Sequence, residues 1–89
     1  MKAVVTVVGK DQVGIIAHVC VRLAQYNVNV LDISQTVMQG YFTMMMVVDV
    51  EGCNVPLDQL SMLMDEAGKE KNLSIRVQRE DIFEAMHRI

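Results

Sequence analysis

The chain has 89 residues and a mass of 10.0 kDa, room for one hydrophobic core and therefore one domain. Apolar residues make up 52% and charged ones 21%, with one Pro and five Gly, a composition that excludes disordered, collagen-like and low-complexity chains. A net charge of −3 and a pI near 5.2 argue against nucleic acid as the main partner, because that binding needs a cationic face to displace counterions from phosphates. Fifteen Val and eight Met against 4% aromatics predict a β-branched, soft core with few stacking rings. Cys20 and Cys53 are far apart and form no metal-spaced pair, which reads as two reduced thiols and a cytoplasmic home. No apolar run approaches the length of a membrane span, and the N-terminus passes from Lys2 straight into a Val-rich strand pattern, so neither a span nor a signal peptide is expected.

Lys2–Val8 is almost continuously small or β-branched, the pattern of a central strand covered on both faces, and it ends at Gly9. Gly9 to Gly14 reads as a turn. Ile16, Val19, Cys20 and Leu23 then share one helical face, while His18, Arg22 and Gln25 share the opposite, solvated one. Val28–Met38 reads as a long strand whose apolar phase changes from even to odd positions, which predicts a bulge or bend near Val30 to Asp32. Gln39-Gly40 is a tight connection to a second arm, Tyr41–Val50, and the two arms form an antiparallel hairpin. The second arm is apolar on both faces, through Met44, Met46 and Val48 on one side and Met45 and Val47 on the other.

Pro56 opens a helix carried by Leu57, Leu60, Met64 and Ala67, with Gly68 near its end. Leu73, Ile75 and Val77 alternate with Ser74, Arg76 and Gln78, the pattern of an outer strand with one wet face. Glu80-Asp81 starts a short last helix with Ile82, Phe83, Met86 and Ile89 on one side. The order βαββαβ predicts an α+β, ferredoxin-like sandwich: a four-stranded antiparallel sheet, two helices on one face, the first and third strands central, and a short C-terminal helix. Helices on one face leave apolar residues on the other, to be covered by the C-terminal helix, by a partner subunit, or by a partner's C-terminal helix.

The fold hosts unrelated functions, so function is argued from residues. The first loop carries no Cys pair for a soft metal and no Arg for an acyl phosphate. Its Gly9-x4-Gly14 spacing is followed by Ile15-Ile16 where a phosphate-binding loop needs Lys and Ser or Thr. His18, His87, Ser34, Ser61 and Ser74 have no evident catalytic partner, so no catalytic residue, metal ligand or cofactor is assigned.

The stretch Val7 to Ala17, with Lys10-Asp11-Gln12-Val13-Gly14-Ile15-Ile16 at its centre, followed by Leu23-Ala24 and by Asn27 to Gln35 with Asn29 and Asp32-Ile33-Ser34-Gln35, resembles the ACT domain. The likeness extends over nearly all of residues 1–89. It is similar to small stand-alone ACT proteins and to the domains of the glycine-cleavage repressor. A common form of the first loop has Pro before the glycine, where this chain has Val13. The resemblance implies a non-catalytic regulatory module that binds an amino acid or related metabolite, generally at a homodimer interface between one subunit's first loop and helix and a neighbour's strand. The candidate ligand-binding residues are Asp11, Gln12, Val13, Gly14, Ile15, Asn29, Val30 and Asp32. Free N–H groups at the start of the first helix suit an α-carboxylate, Gly14 permits close approach, Asn29 can donate and accept hydrogen bonds, and Asp32 suits an ammonium. Lys10 adds steering charge.

Each residue also has a purely structural reading. Asp11 reads first as the N-cap of the first helix, Gly14 as a packing glycine, Asn29 and Asp32 as managers of the bulge, and the Met run as core. The alternative function is a protein-interaction module that docks on another regulator through its apolar sheet face or C-terminal helix.

Overall fold

The computed structural model describes residues 1–87 and, within the last helix, the side chains of Glu80, Asp81, Ile82 and Glu84. Seven elements follow in order: β1 Lys2–Lys10, α1 Ile15–Gln25, β2 Asn29–Met38, β3 Tyr41–Asp49, α2 Leu57–Lys69, β4 Ser74–Arg79 and α3 Glu80–His87. The sheet order is β2-β3-β1-β4, antiparallel throughout, so the two most continuously apolar strands are the central ones. This is the ferredoxin-like arrangement expected from the sequence, with α3 as the addition.

Alternation along the strands divides the sheet into two faces. Ala3, Val5 and Val7 of β1, Phe42, Met44, Met46 and Val48 of β3, and Ile75 and Val77 of β4 share one buried core with Ile15, Val19 and Leu23 of α1 and Leu60 and Met64 of α2. The opposite, open face carries Val4, Thr6 and Val8, Met45 and Val47, Asp32 and Ser34, and Arg76 and Gln78, as the strand register dictates. Met45 is 39% exposed there while its neighbours Met44 and Met46 are wholly buried, so the Met run splits between core and surface. α3 contacts β1 and β4. The apolar side expected of it rests on Phe83 and Met86, whose side chains lie outside the described ones, and on Ile89, outside the described residues.

Gln39 and Gly40 both have positive φ, 50° and 81°, the backbone of the tight hairpin turn that matches strand twist. The predicted bulge lies where the register of β2 against β3 shifts, between Val30 and Asp32, with the Asp32 carboxylate accepting from the Ile33 N–H at 2.8 Å. Three local expectations are corrected. β1 does not stop at Gly9 but runs to Lys10, because Gly9 pairs with Phe42 and its missing side chain leaves room for Leu73; a Cβ at Gly9 would lie 2.5 Å from the Leu73 Cδ2. The core residue of α1's first turn is Ile15, and Ile16 faces outward, 39% exposed. Pro56 immediately precedes α2 in extended conformation rather than opening its first turn.

His18 and Arg22 are not a solvated face. The His18 Nε2–H donates to the Ala67 carbonyl at 2.8 Å, an assignment that follows because a carbonyl only accepts. Arg22 holds both carboxylate oxygens of Glu70, at 2.8 and 3.1 Å. These two side chains, one turn apart on α1, fasten it to the C-terminal end of α2.

Candidate functional site

The first loop, residues 11–14, sits at the end of the sheet where β1 finishes and the β2–β3 hairpin turns. The Asp11 N–H donates to the Gly40 carbonyl at 2.8 Å, which anchors the loop on the hairpin. Gly14, with φ 87° and ψ 9°, is the residue that caps α1, and no side chain accepts from the first-turn N–H groups. The expectation that Asp11 caps the helix is therefore corrected: the chain needs a left-handed residue to turn from the loop into the helix, and only the glycine, three positions later, takes that conformation without strain. Nothing lies within 4 Å of a Cβ placed on Gly14, so its role is conformational and the space beside its Cα is open. The result is an uncapped helix N-terminus, with donor groups and the positive end of the helix dipole unopposed by an acidic first turn.

The other predicted residues occupy different places. Gln12 points away from the helix start and donates from Nε2 to the Lys71 carbonyl at 2.9 Å. Val13 is almost fully exposed, and Ile15 is buried in the core. Asn29 pairs with Asp49 at the start of β2, and Asp32 pairs with Val47. Val30 packs against the core. Lys10 pairs with Tyr41 and Met38 with Tyr41, which marks the loop end of the sheet. Along β3, Asp32's partner is six residues and Asn29's eight residues from Tyr41. At strand rise these are separations of about 20 and 26 Å. One chain thus gathers Asp11 to Ile15 at one end of the sheet and Asn29 and Asp32 toward the other, and does not bring the two groups together.

β2 is an outer strand exposed at every position but the half-buried Val30, including Leu31, Ile33, Val37 and Met38. Ile33 and Val37 stand on the helix side, opposite Met46 and Phe42, yet remain about half exposed because α1 does not extend over them. On the open face Val4, Asp32, Ser34, Met45 and Val47 line a shallow apolar cavity of about 260 Å³. A second cavity, of about 520 Å³, lies beside the first loop and is polar, lined by Lys10, Gln12, Glu70, Lys71 and Asn72. Apart from Lys10 and Gln12, these residues did not emerge from the sequence. The charged run Lys69-Glu70-Lys71, followed by Asn72, was its signal, but which loop it faces depends on how α2 returns to β4.

Among the described residues no set of three or more His, Cys, Asp or Glu gathers to hold a metal, Cys20 and Cys53 are free thiols, and no helix is long and apolar enough to cross a membrane.

Comparison with known proteins places this geometry. The family model of the ACT domain matches residues 2–78. A UPF0237 protein of Bifidobacterium longum is 52% identical over 88 residues, covering 99% of this chain and 98% of its own length. An ACT domain protein from Streptococcus pneumoniae has a solved structure that is 44% identical, covers 98% of both chains and superposes with a TM-score of 0.83. A solved glycine cleavage system transcriptional repressor shares the fold at 22% identity and a TM-score of 0.73, with 86% of this chain matched to 44% of that one. ACT domains are in general regulatory ligand-binding modules. On the sequence match over most of its length and on the shared fold, this chain belongs to the ACT domain family.

Proposed function

We propose that the chain is a non-catalytic, cytoplasmic regulatory module that binds an amino acid or a related metabolite at a site completed by a second copy of itself. The observation that carries this reading is the uncapped start of α1 at Gly14: its free N–H groups and helix dipole suit an α-carboxylate, with open space beside the Gly14 Cα. The ammonium partners, Asn29 and Asp32, lie too far along the same chain to reach that carboxylate. A two-fold axis that pairs the exposed edges of two β2 strands antiparallel removes the difficulty. It sets the loop end of one subunit beside the Asn29 end of the other, and covers Ile33 and Val37 in the same step. In that arrangement the first loop and the exposed start of α1 of one subunit meet the Asn29–Asp32 segment of its partner at one seam, with the buried Ile15 supporting the helix start from the core and Gln12 tied to the Lys71 carbonyl.

The test is thermal unfolding of the purified chain against the twenty amino acids and related metabolites at millimolar concentration, since a ligand of the native state raises the melting temperature by mass action. One compound or a small related set should produce a shift. Asp32→Ala, at an exposed position, should abolish that shift while circular dichroism reports an unchanged fold; Gly14→Val should abolish it too, from a lower melting temperature of its own because Val strains the left-handed backbone at φ 87°. Shifts of parental size in both variants refute the site.

A second reading rests on the open sheet face, where Met45 stands 39% exposed above the apolar cavity. There the chain acts as an interaction module and docks on another regulator. No ligand shift in the panel, together with weakened partner binding by Met45→Asp, is the result that favours it.

A further inference from the structure

We propose that the polar cleft between the first loop and the α2–β4 turn is a second binding site, for a compact dianion such as a dicarboxylate or a phosphate ester. This site is distinct from the helix start at Gly14. Lys10 ends β1 and Gln12 lies in the loop, while Glu70, Lys71 and Asn72 form the turn that leads from α2 into β4, and together they line a cavity of about 520 Å³. That volume lies within the range of small-molecule sites.

The walls are held by the fold. The Gln12 Nε2–H donates to the Lys71 carbonyl at 2.9 Å and ties one wall to the other. The Lys71 and Leu73 N–H groups both donate to the Gly68 carbonyl, at 3.0 and 2.8 Å. Asn72 takes a left-handed backbone, φ 57°, which turns the chain between them.

The charges are arranged for an anion. Glu70, the cleft's one carboxylate, is held by both oxygens on Arg22, so its charge is spent within the protein. Lys10 and Lys71 form no ion pair among the described residues. In a chain of net charge −3, two lysines without carboxylate partners among the described residues therefore line one cavity, together with Gln12 and Asn72. One exposed ammonium contributes little, about 1 kcal/mol or less to a carboxylate, so an occupant gains most by meeting both. That selects a ligand with two acidic oxygens set apart, or a phosphate, over a simple monocarboxylate. Because Gln12 belongs to the first loop, an occupant also fixes the loop that leads to the start of α1.

The experiment is titration calorimetry of the full chain with glutarate and with inorganic phosphate at low ionic strength, with chloride at matched ionic strength as the blank. The parent should bind one of them above the blank, and the stronger of the two identifies the chemical source. A Lys10→Ala/Lys71→Ala double variant, both changes being at exposed positions, should lose about ten-fold or more in affinity. Lys2→Ala/Arg76→Ala, which removes the same charge outside the cleft, should bind as the parent does. Asp32→Ala should also leave this binding intact, which separates it from the amino-acid site. No heat above the chloride blank overturns the proposal, as does equal loss in the two double variants, which marks diffuse surface charge.

Discussion

Gly68 offers a test of the packing that positions both proposed sites. It lies in the last turn of α2, buried, where a helix prefers Ala over Gly by about 1 kcal/mol. A Cβ there would stand 2.6 Å from the Leu73 carbonyl oxygen and 3.0 Å from the Ile75 Cγ1. The oxygen belongs to backbone that is itself fixed, since the Leu73 and Lys71 N–H groups both bond to the Gly68 carbonyl. Relief therefore means moving the α2–β4 turn, and overpacking of this kind costs about 1–3 kcal/mol or more. Steric cost should outweigh helix propensity, leaving Gly68→Ala about 1–2 kcal/mol less stable than the parent. For a domain of this size that lowers the melting temperature by about 5–15 °C. Thermal unfolding followed by circular dichroism reads the difference, and urea denaturation with an unchanged slope confirms that stability rather than compactness has changed. A variant that melts at or above the parent's temperature refutes the reasoning, because propensity would then have won. Gly14→Ala is the informative contrast. Its Cβ meets nothing within 4 Å, so only the left-handed backbone at φ 87° opposes it, at about 1–2 kcal/mol.

Three further predictions use the same measurements. Met46→Ala, at a fully buried position of central β3, should cost about 2–5 kcal/mol, whereas Met45→Ala on the open face should cost well under half as much; equal losses would contradict the assignment of faces. Gln39→Asn should raise the melting temperature by a few degrees, about 0.5–1 kcal/mol, since Asn accepts the positive φ of 50° and makes the favoured Asn-Gly hairpin pair. A double-mutant cycle on Arg22→Ala and Glu70→Ala should give a coupling of about 0.2–1 kcal/mol, as both groups are partly solvated; a coupling above 2 kcal/mol would mean the pair is far better shielded than its exposure indicates.

The features legible in the sequence were those set by near neighbours. The phase change across Val30 to Asp32 announced the bulge, Gln39-Gly40 announced the hairpin, and the alternation of Leu73, Ile75 and Val77 announced an outer strand. What escaped depended on distant contacts. Asp11 was expected to cap α1, but its backbone is held by Gly40, 29 positions away, and the helix starts only after Gly14 has turned the chain. His18 and Arg22 look like a wet helix face until α2 brings Ala67 and Glu70 beside them. The separation of Asn29 and Asp32 from the first loop could have been inferred from topology. An 11-residue α1, about 16 Å long, carries the chain from one end of the sheet to the other before β2 begins. The polar cleft could not, since its two walls are 59 positions apart where Gln12 meets Lys71.

The shared site is tested most directly by mixing subunits. On the proposed dimer, Gly14→Val and Asp32→Ala each damage every pocket of their own homodimer, but a mixed dimer unites the unaltered loop of one with the unaltered strand of the other. Titrating a co-refolded equimolar mixture with the compound that stabilises the parent should recover about a quarter of the parental binding sites, half of the dimers being mixed and each holding one whole site of two. A mixture as inactive as its two components would contradict a pocket shared between subunits.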